Sequence, residues 1–274
     1  MPFPATNSQN AGKTSFNTGL YINGKFVEGS DKNTIVMNVI NPATGKIIRK
    51  VAEATFKDVD VAVAAAHKAF KTTWGLNMGG AGRSRLLAKL AQFMEEHQLE
   101  LTALEALDSG KSFTWVMDVD TTFAIDTICY YAGWADKIHG QVVEIIPWNF
   151  PKLMMSWKLG PALAPGNRIV MKPSESTPLP AIHMSKLIHD ARFPPRTFNF
   201  LTGYGDIVGA AISSHMKIDK VAFTGSTLVG RKIMEVTAKS NLKDIMLEFG
   251  GKSRNITFND ADVDQVVSWA AHGI

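Results

Sequence analysis

Cysteine is almost absent from the chain: Cys129 is the only one among 274 residues. A lone cysteine forms no internal disulfide, which excludes the disulfide-rich class of small secreted proteins and is compatible with a reducing cytoplasm. No run of 18 apolar residues occurs, so the sequence predicts no membrane-spanning helix. Residues 1–18 contain no arginine and no apolar core, and they are typical of a flexible tail rather than a targeting peptide.

The excess of positive over negative charge is small as well. Lys and Arg number 29 and Asp and Glu number 25, which gives a formal net charge of +4 and a pI of about 9.0. Both signs are interspersed and no basic run occurs, so no nucleic-acid partner is predicted. With 45% hydrophobic residues and a mean hydropathy of -0.01, the composition is typical of a globular protein of one large or two ordinary domains.

The first half of the chain combines β elements with amphipathic helices. The run Leu20–Val27 predicts a hairpin, because Asn23 and Gly24 supply the positive φ angles of a tight turn. A second strand pair is predicted on either side of Asn41–Gly45. Apolar residues at helical spacing predict helices over 58–70, 84–97, 99–108 and about 118–137.

In the second half, short β-branched runs alternate with helical patterns. This alternation predicts βαβ units, an α/β fold and a parallel sheet. Right-handed crossovers align the carboxyl ends of such strands along one edge, where nucleotides usually bind. The predicted strands are 142–146, 168–171, 198–201, 220–223 and 244–247, and the predicted helices are 153–163, 179–191, 207–213 and 228–238.

A proline-rich turn follows the first of these strands. Pro147 and Pro151 enclose three residues in a rigid, non-helical segment. Such a turn can direct the amide of Asn149 into a cleft, where its N–H suits a developing oxyanion. The same residues are compatible with a proline-stiffened loop in which Trp148 fills the core.

A lysine and a carboxylate follow the next strand. Lys172 and Glu175 are three residues apart and can bind the two hydroxyls of a ribose. A carboxylate there repels a 2′-phosphate, which favours NAD over NADP. The alternative is an exposed ion pair at a solvated strand end.

A glycine turn and a helix start follow the strand that ends near residue 223. Gly225 permits a sharp turn, Ser226 or Thr227 can cap the helix, and the free amides there suit a phosphate. Gly225 and Gly230 have the spacing of a P-loop. However, Arg231 and Lys232 occupy the positions where that motif has Lys and then Ser or Thr, which argues against an NTPase.

The last predicted strand brings Glu248 to the same edge, followed by the paired glycines Gly250 and Gly251. Such glycines let a backbone pass close to a ligand. A glutamate in a partly apolar cleft has a raised pKa and can act as a base near neutral pH. An ordinary solvated carboxylate beside a turn is the alternative.

The remaining reactive side chains predict little chemistry. Cys129 has no adjacent histidine and no helix N-terminus to acidify its thiol, so we predict an inert, packed cysteine. Among the seven histidines, His183 and His189 are six residues apart, which does not place them on one helix face. No metal site is predicted.

Together and in this order, these motifs resemble the NAD-dependent aldehyde dehydrogenases, particularly the tetrameric classes that oxidise retinal and acetaldehyde. The resemblance extends over essentially the whole chain from Leu20 onward. The runs that carry it are YYAGWADKIHG (130–140), IIPWNFP (145–151), WKLGPALA (157–164), KVAFTGST (220–227) and LEFGGK (247–252). It implies a Rossmann-type parallel sheet, a small-molecule aldehyde as substrate and NAD as cofactor. The implied reaction is thiolate attack on the aldehyde, hydride transfer to NAD, and hydrolysis of the thioester to a carboxylic acid.

The resemblance also assigns roles to individual residues. Asn149 corresponds to the amide of the oxyanion hole, and Glu248 to the general base. Lys172 and Glu175 correspond to the contacts of the adenosine ribose. The full set of implied cofactor-binding residues is Ile145, Ile146, Pro147, Trp148, Asn149, Lys172, Glu175, Gly205, Gly225, Ser226, Gly230, Glu248 and Gly250.

The sequence departs from the family pattern in three respects. It ends before the region that carries the catalytic cysteine, only four residues separate Gly140 from Ile145 where the family has a longer segment, and Arg254 replaces a usual proline. We therefore expect this chain alone to be inactive and its oligomerisation elements to be incomplete. A splice form, an incorrect gene model and a decaying copy all stay open, as does a non-catalytic NAD-binding remnant or regulatory pseudoenzyme.

Four segments are predicted on this basis. They are a flexible tail (1–18), hairpins and helices of the NAD-binding domain (19–140), the Rossmann-type core (141–248) and the truncated start of a catalytic domain (249–274). A cytoplasmic location is expected, with neither nucleic acid nor a membrane as partner.

Overall fold

A seven-stranded, mostly parallel sheet forms the centre of the protein. The computed structural model describes residues 16–30, 36–135, 143–251 and 256–272. Its strands are β1 (Leu20–Ile22), β2 (Lys25–Val27), β3 (Val36–Ile40), β4 (Ile47–Ala52), β5 (Val143–Ile145), β6 (Ile169–Lys172), β7 (Phe198–Phe200), β8 (Lys220–Gly225) and β9 (Asp244–Phe249). The sheet has the order β2-β1-β7-β6-β5-β8-β9, in which β5 to β9 run parallel, and β3 and β4 form a separate antiparallel pair.

Helices connect most of these strands. Within the described ranges, the α-helices are α1 (Phe56–Thr72), α2 (Gly80–Glu96), α3 (Gln98–Ser109), α4 (Phe113–Trp115), α5 (Thr122–Trp134), α6 (Pro151–Leu163), α7 (Leu179–Asp190), α8 (Ala210–Ser214), α9 (Thr227–Ala238) and α10 (Val263–His272). A π-helical segment, Val116–Thr121, joins α4 to α5, a second one, Gly205–Gly209, leads into α8, and a 3-10 turn covers Gly75–Asn77. None of the helices described is both long and apolar enough to cross a membrane.

Two hydrophobic cores cover the two faces of the sheet. Successive strand residues point to opposite faces, and β6 shows this directly: Ile169 and Met171 join one core, whereas Val170 joins the other. The first core includes residues of α2, α5, α6 and α7, and the second includes residues of α1, α8 and α9. The result is a three-layer α/β fold, which confirms the predicted fold class.

The predicted N-terminal hairpin is confirmed, and it extends the sheet. Asn23 and Gly24 have φ angles of 57° and 75°, as a two-residue hairpin turn requires. β1 pairs antiparallel with β7 through Tyr21 and Phe200, and the N–H of Asn23 donates to Asn199 Oδ1 at 3.1 Å. The hairpin therefore lies at one edge of the sheet, a position that its local sequence does not specify.

The predicted elements of the second half are also present, with ends that differ by a few residues. The run predicted over 142–146 forms β5, which lies between β6 and β8 at the middle of the sheet. α4, the two π-helical segments and α10 were not predicted. Residues 1–15 of the predicted tail and residues 136–142 at the predicted internal gap lie outside the described ranges. The end of the tail contacts the fold, because Thr18 O accepts the N–H of Ala52 at 2.7 Å.

A buried arginine on α2 joins three parts of the first core. The guanidinium of Arg83 donates to the carbonyl oxygens of Ala164 at 2.7 Å, Ala135 at 3.0 Å and Gly75 at 3.3 Å, and also to that of Met78. These carbonyls lie at the end of α6, at the end of α5 and in the connection from α1 to α2. Because the last carbonyls of a helix lack partners within the helix, one cation satisfies groups that would otherwise be buried unpaired.

We expect Arg83→Lys to lower the free energy of unfolding by roughly 2–4 kcal/mol, since an ammonium cannot reach several carbonyls in the geometry of the guanidinium. Urea unfolding followed by circular dichroism measures the change. Arg85→Lys, at an exposed position of the same helix, is the matched control and should shift stability by less than about 0.5 kcal/mol. Equal losses in the two variants would contradict the role assigned to Arg83.

A buried carboxyl group links α3 to α7. Oδ2 of Asp108 accepts the N–H of Leu179, the first residue of α7, at 2.9 Å, whereas its Oδ1 has no hydrogen-bond partner within the described structure. Burial raises the pKa of Asp108 from 3.8 to about 7, an effect that the Leu179 N–H partly opposes. The folded chain therefore holds a proton here at pH values where the unfolded chain has released it.

The free energy of unfolding should consequently fall as the pH rises from about 4 to 7, because the folded state then binds one more proton than the unfolded state. The contribution of this group reaches about 4 kcal/mol at most. Asp108→Asn retains an acceptor for Leu179 and should flatten the slope in urea titrations at several pH values. Asp126→Asn, at an exposed position of α5, is the control. A slope unchanged by Asp108→Asn would show that the buried carboxyl does not titrate in this range.

Candidate functional site

The carboxyl ends of four strands lie side by side at one edge of the sheet. The register pairs Ile145 of β5 with Lys172 of β6 and with Phe223 of β8, and it pairs Glu248 of β9 with Thr224 of β8. Neighbouring strands in a sheet are about 4.8 Å apart. The residues that end or follow these strands, which the sequence analysis singled out, are therefore gathered along one edge.

The end of β5 contributes backbone rather than side chains to this edge. Ile145 and Ile146 are both buried, and they belong to the cores on opposite faces of the sheet. The N–H of Ile146 donates to Lys172 O at 3.2 Å, which continues the pairing of β5 with β6 by one residue. Any contact of these two isoleucines with a ligand at the edge would involve their main-chain atoms.

The proline turn projects Asn149 to the surface. Thr177 Oγ1 donates to the carbonyl of Trp148 at 3.1 Å, which links the turn to the segment after β6. The side chains of Trp148 and Asn149 are both exposed. Trp148 therefore does not fill the core, and the amide of Asn149 is accessible to a ligand.

A buried charge network anchors the helix that follows this turn. Lys152 in the first turn of α6 and Glu105 of α3 are fully buried. The N–H of Lys152 donates to Glu105 Oε2 at 3.3 Å, and its ammonium lies 3.5 Å from the same oxygen and donates to Thr121 Oγ1 at 2.5 Å. Beside them, Lys111 and Asp120 form an ion pair of 2.6 Å. This network was not predicted; the only signal in the sequence was Lys152 next to the apolar residues 153–155.

Burial opposes charge on both central members of the network. It raises the pKa of Glu105 to about 8, although the charge of Lys152 acts in the opposite direction, and it lowers the pKa of Lys152. A buried pair of this kind is sensitive to geometry, because removal of one partner leaves the other without compensation. The network therefore positions the start of α6 relative to α3.

Lys172 and Glu175 form an ion pair at the end of β6, as the alternative interpretation expected, but only one of its members is exposed. Lys172 Nζ donates to Glu175 Oε2 at 3.1 Å and to Pro173 O at 2.8 Å. The lysine side chain is only 3% exposed, whereas that of Glu175 is 40% exposed. Burial lowers the pKa of Lys172, and the charges of Glu175 and Asp206 oppose this shift. The pair thus combines a buried cation with an accessible carboxylate, unlike the fully exposed pair of the alternative interpretation.

The glycine turn after β8 is closely packed. A Cβ atom on Gly225 would lie 2.5 Å from the ring of Phe223, and one on Gly230 would overlap the ring of Phe249. Ser226 Oγ accepts the N–H of Val229 at 3.3 Å, so Ser226 caps α9 as predicted. The glycines therefore allow the N-terminus of α9, with its outward-pointing amides, to lie close to the sheet edge.

The other predicted residues lie at the surface. Asn149 and Glu248 are exposed at the same edge, but no hydrogen bond joins them among the described residues. Gly205 and Gly250 are also exposed, and a Cβ atom on either would meet no atom within 4 Å. The structure thus brings the strand ends together without bringing the two predicted catalytic side chains into contact.

Comparison with known proteins assigns this architecture. Residues 26–274 match the model of the aldehyde dehydrogenase family. The chain belongs to this family. It is 58% identical over 282 residues to an aldehyde dehydrogenase of Agaricus bisporus, covering 96% of the chain and 56% of that relative. It is 49% identical over 257 residues to aldehyde dehydrogenase 1A1 of Rattus norvegicus, covering 86% of the chain and 51% of that relative.

Solved structures of the family share the fold. An aldehyde dehydrogenase from Bacillus cereus in complex with NAD+ superposes with a TM-score of 0.89 at 42% identity, covering 94% of this chain and 56% of that one. The chain therefore spans about half the length of the curated relatives it matches. The alignment of 282 residues with the Agaricus bisporus relative is longer than the 274-residue chain, so that aldehyde dehydrogenase has residues within the aligned region that this chain lacks.

One prediction about this family member is wrong: Cys129 is not packed. Cys129 lies on α5 next to Ile128, which is buried. Successive side chains of a helix point about 100° apart, and Cys129 is exposed. Partial burial raises the pKa of the Cys129 thiol, and the nearby carboxylates of Glu95 and Asp126 raise it further. The thiol is therefore not acidified, in agreement with the other part of the prediction.

An aromatic groove between α5 and α6 was not predicted. It has a volume of about 620 Å³ and is open to solvent. The groove is lined by Phe123, Asp126, Thr127, Tyr130, Tyr131 and Trp157. Phe123, Thr127 and Tyr130 recur at the spacing of one helix face, which is the signal that could have revealed it. Its α6 wall belongs to the helix that begins two residues after Asn149.

Proposed function

We propose that this chain forms the cofactor-binding half of an NAD-dependent aldehyde dehydrogenase, in which Lys172 and Glu175 bind the adenosine ribose of NAD. The observation that carries the proposal is the pairing of a buried ammonium with an accessible carboxylate at the carboxyl end of β6, 3.1 Å apart. The relative from Bacillus cereus, with the same fold, was solved with NAD+. Oxidation of aldehydes follows from membership of the family and is proposed for the complete protein.

The chemistry of this pair suits a ribose. An ammonium has three donors, and Lys172 directs two of them to Glu175 and Pro173, which leaves one for a ribose hydroxyl. The carboxylate of Glu175 can accept from the neighbouring hydroxyl. A 2′-phosphate at that position would place two or nearly two negative charges beside a carboxylate, so we propose that NAD is preferred to NADP.

The glycine turn after β8 provides a second part of the proposed cofactor site. The N-terminus of α9 carries a partial positive charge and directs amide N–H groups outward, a combination that suits the phosphates of a dinucleotide. Only glycine fits at position 225, because the ring of Phe223 already occupies the space of a Cβ atom. The tight turn therefore keeps the N-terminus of α9 close to the edge of the sheet. When bound, NAD supplies the hydride acceptor.

Asn149 and Glu248 are the proposed catalytic groups. The amide N–H of Asn149 would donate to the oxyanion that develops on the carbonyl oxygen of an aldehyde, and Glu248 would accept a proton. Both side chains are exposed at the same sheet edge. β8 separates β5 from β9, so the strands that precede the two groups are about 10 Å apart.

A non-catalytic NAD-binding protein is the second candidate. Cys129 is the only cysteine in the sequence, it lies on α5, and its thiol pKa is raised rather than lowered. A thioester mechanism needs a thiolate next to the oxyanion donor and the base. Neither the position nor the acidity of Cys129 meets this requirement.

We further propose a cytoplasmic location, because a single cysteine suits a reducing compartment.

We also propose that this chain assembles differently from the tetramer that the resemblance implies. Only four residues lie between Gly140 and Ile145, where the family has an arm of its oligomerisation hairpin.

The first test concerns cofactor choice. Isothermal titration calorimetry of the 274-residue chain should show NAD binding at least about tenfold tighter than NADP binding, and Glu175→Gln should narrow the difference because it removes the repelling charge. Glu235→Gln, at an exposed position of α9, is the matched control and should preserve the preference. The absence of NAD binding would contradict the proposed function itself, and equal affinities for NAD and NADP would contradict the role of Glu175.

The second test concerns catalysis by this chain alone. We expect no NADH production from acetaldehyde above the enzyme-free blank, measured by absorbance at about 340 nm, because no thiolate lies beside Asn149 and Glu248. Cys129→Ala should behave in the same way as the unmodified chain. NADH formation that disappears in Cys129→Ala would show instead that this cysteine acts as a nucleophile.

A further inference from the structure

Two histidines and a glutamate from distant parts of the sequence meet away from the proposed cofactor site. His97 lies between α2 and α3, Glu100 lies in the first turn of α3, and His183 lies on α7. His97 Nδ1 is 3.1 Å from Glu100 Oε2, and His183 Nε2 is 3.6 Å from the same oxygen. One ligand atom from each residue lies within 4.8 Å of the other two. The sequence analysis compared His183 only with His189 and missed this cluster.

His183 is the buried member of the cluster. Its residue is only 6% exposed, and its Nε2 has no hydrogen-bond partner within the described structure. The ring stacks on Phe16 with centroids 6.4 Å apart and meets the ring of His97 edge-on, with centroids 6.3 Å apart. A buried polar atom without a partner is destabilising, because it has lost its hydrogen bonds to water and gained none in the fold. The fold thus directs an unsatisfied ring nitrogen towards the oxygen of Glu100.

Burial and the surrounding charges leave Nε2 of His183 available as a ligand. Burial lowers the pKa of His183, which favours the neutral ring with its lone pair, and Glu100 opposes the shift. Lys186 and Asp190, also on α7, are paired with each other at 2.7 Å. The ammonium of Lys186 therefore has a carboxylate partner of its own outside the cluster.

We propose that His97, Glu100 and His183 bind one Zn²⁺ ion. Two imidazole nitrogens and one carboxylate oxygen are a ligand set that zinc uses, with water as the fourth ligand. Imidazole also suits Cu²⁺ and Ni²⁺, whereas Mg²⁺ and Ca²⁺ select oxygen ligands. The proposal is independent of the proposed enzyme function, because none of the three residues lies at the strand ends.

Only a small movement is needed to close the site. In a tetrahedral zinc site with bonds of about 2.1 Å, two ligand atoms lie about 3.4 Å apart. The greatest separation in the cluster is within 4.8 Å, so movements of about 1.5 Å or less close the site. The side chains of His97 and Glu100 are 39% and 49% exposed and are free to adjust, whereas His183 is fixed by packing.

The ion would act as a second link between α3 and α7. Near its C-terminal end, α3 already contacts α7 through Asp108, whose carboxyl group accepts the N–H of Leu179. Glu100 lies near the opposite end of α3, two turns from Asp108, and faces His183 one turn further along α7. Zinc binding would therefore join both ends of α3 to the same neighbouring helix.

The test is a zinc titration of the 274-residue chain after chelator treatment, with a chromophoric zinc indicator as competitor. The unmodified chain should show one zinc site, and His97→Gln and Glu100→Gln should each weaken it by at least about tenfold. His215→Gln is the matched control, because His215 forms a similar pair with Asp60, 3.1 Å apart, that no third histidine, cysteine or carboxylate of the described ranges completes into a metal-binding group. This control should bind zinc as tightly as the unmodified chain.

Thermal unfolding with and without Zn²⁺ supplies a second readout. Zinc should raise the Tm of the unmodified chain and of His215→Gln, but not that of the double variant His97→Gln/Glu100→Gln, whose half-buried and exposed positions lie outside the buried core. His183→Gln should abolish zinc binding; if it fails to fold, the variants of His97 and Glu100 decide the result. Equal zinc affinity in the unmodified chain and in His97→Gln or Glu100→Gln would overturn the proposal. A loss of zinc affinity in His215→Gln as large as that in the cluster variants would also overturn it.

Discussion

The position of α6 depends on charges buried at both of its ends. At the C-terminal end, the guanidinium of Arg83 binds the carbonyl of Ala164 together with carbonyls from two other segments. At the N-terminal end, Lys152 binds Glu105 and Thr121. Apolar contacts alone tolerate small sliding movements of a helix, whereas hydrogen bonds to a desolvated charge do not, because a lost bond leaves a buried charge uncompensated.

This constraint extends to the proposed catalytic turn. Asn149 lies two residues before α6, so the orientation of its amide depends on how firmly the helix is placed. The bond from Thr177 to Trp148 and the bond from Ile146 to Lys172 connect the same turn to β6 and to the segment after it. Asn149, the proposed oxyanion donor, and the proposed ribose-binding pair Lys172 and Glu175 thus share one support.

Much of the fold could be predicted because its signals are local. The alternation of short apolar runs with helical patterns predicted the parallel strands, and the rule for right-handed crossovers placed Lys172, Gly225 and Glu248 at one edge before any coordinates were considered. The proline turn and the cap at Ser226 follow from backbone chemistry that operates within a few residues. These are the parts of the site on which sequence and structure agree.

The remainder depends on contacts between residues far apart in the chain. Glu105 meets Lys152 across 47 residues of sequence, and Glu100 of α3 meets His183 of α7 across 83 residues (183 − 100). No periodicity within one helix reveals such a pairing, which is why comparison of His183 with His189 alone predicted no metal site. The exposure of Cys129 was mispredicted for a related reason, since aromatic neighbours in sequence do not determine which face of a helix is covered.

The docking of the N-terminal hairpin has a consequence for the order of folding. Tyr21 in β1 pairs with Phe200 in β7, and its hydroxyl lies 3.3 Å from a ring nitrogen of His189. Thr202 Oγ1 donates to the carbonyl of Ala52 at 2.5 Å, across 150 residues. A ribosome adds about 5–20 residues per second, so the hairpin emerges on the order of ten seconds or more before β7 exists. During that interval β1, whose three residues are all buried in the final fold, is a target for chaperones and for premature association with other nascent chains.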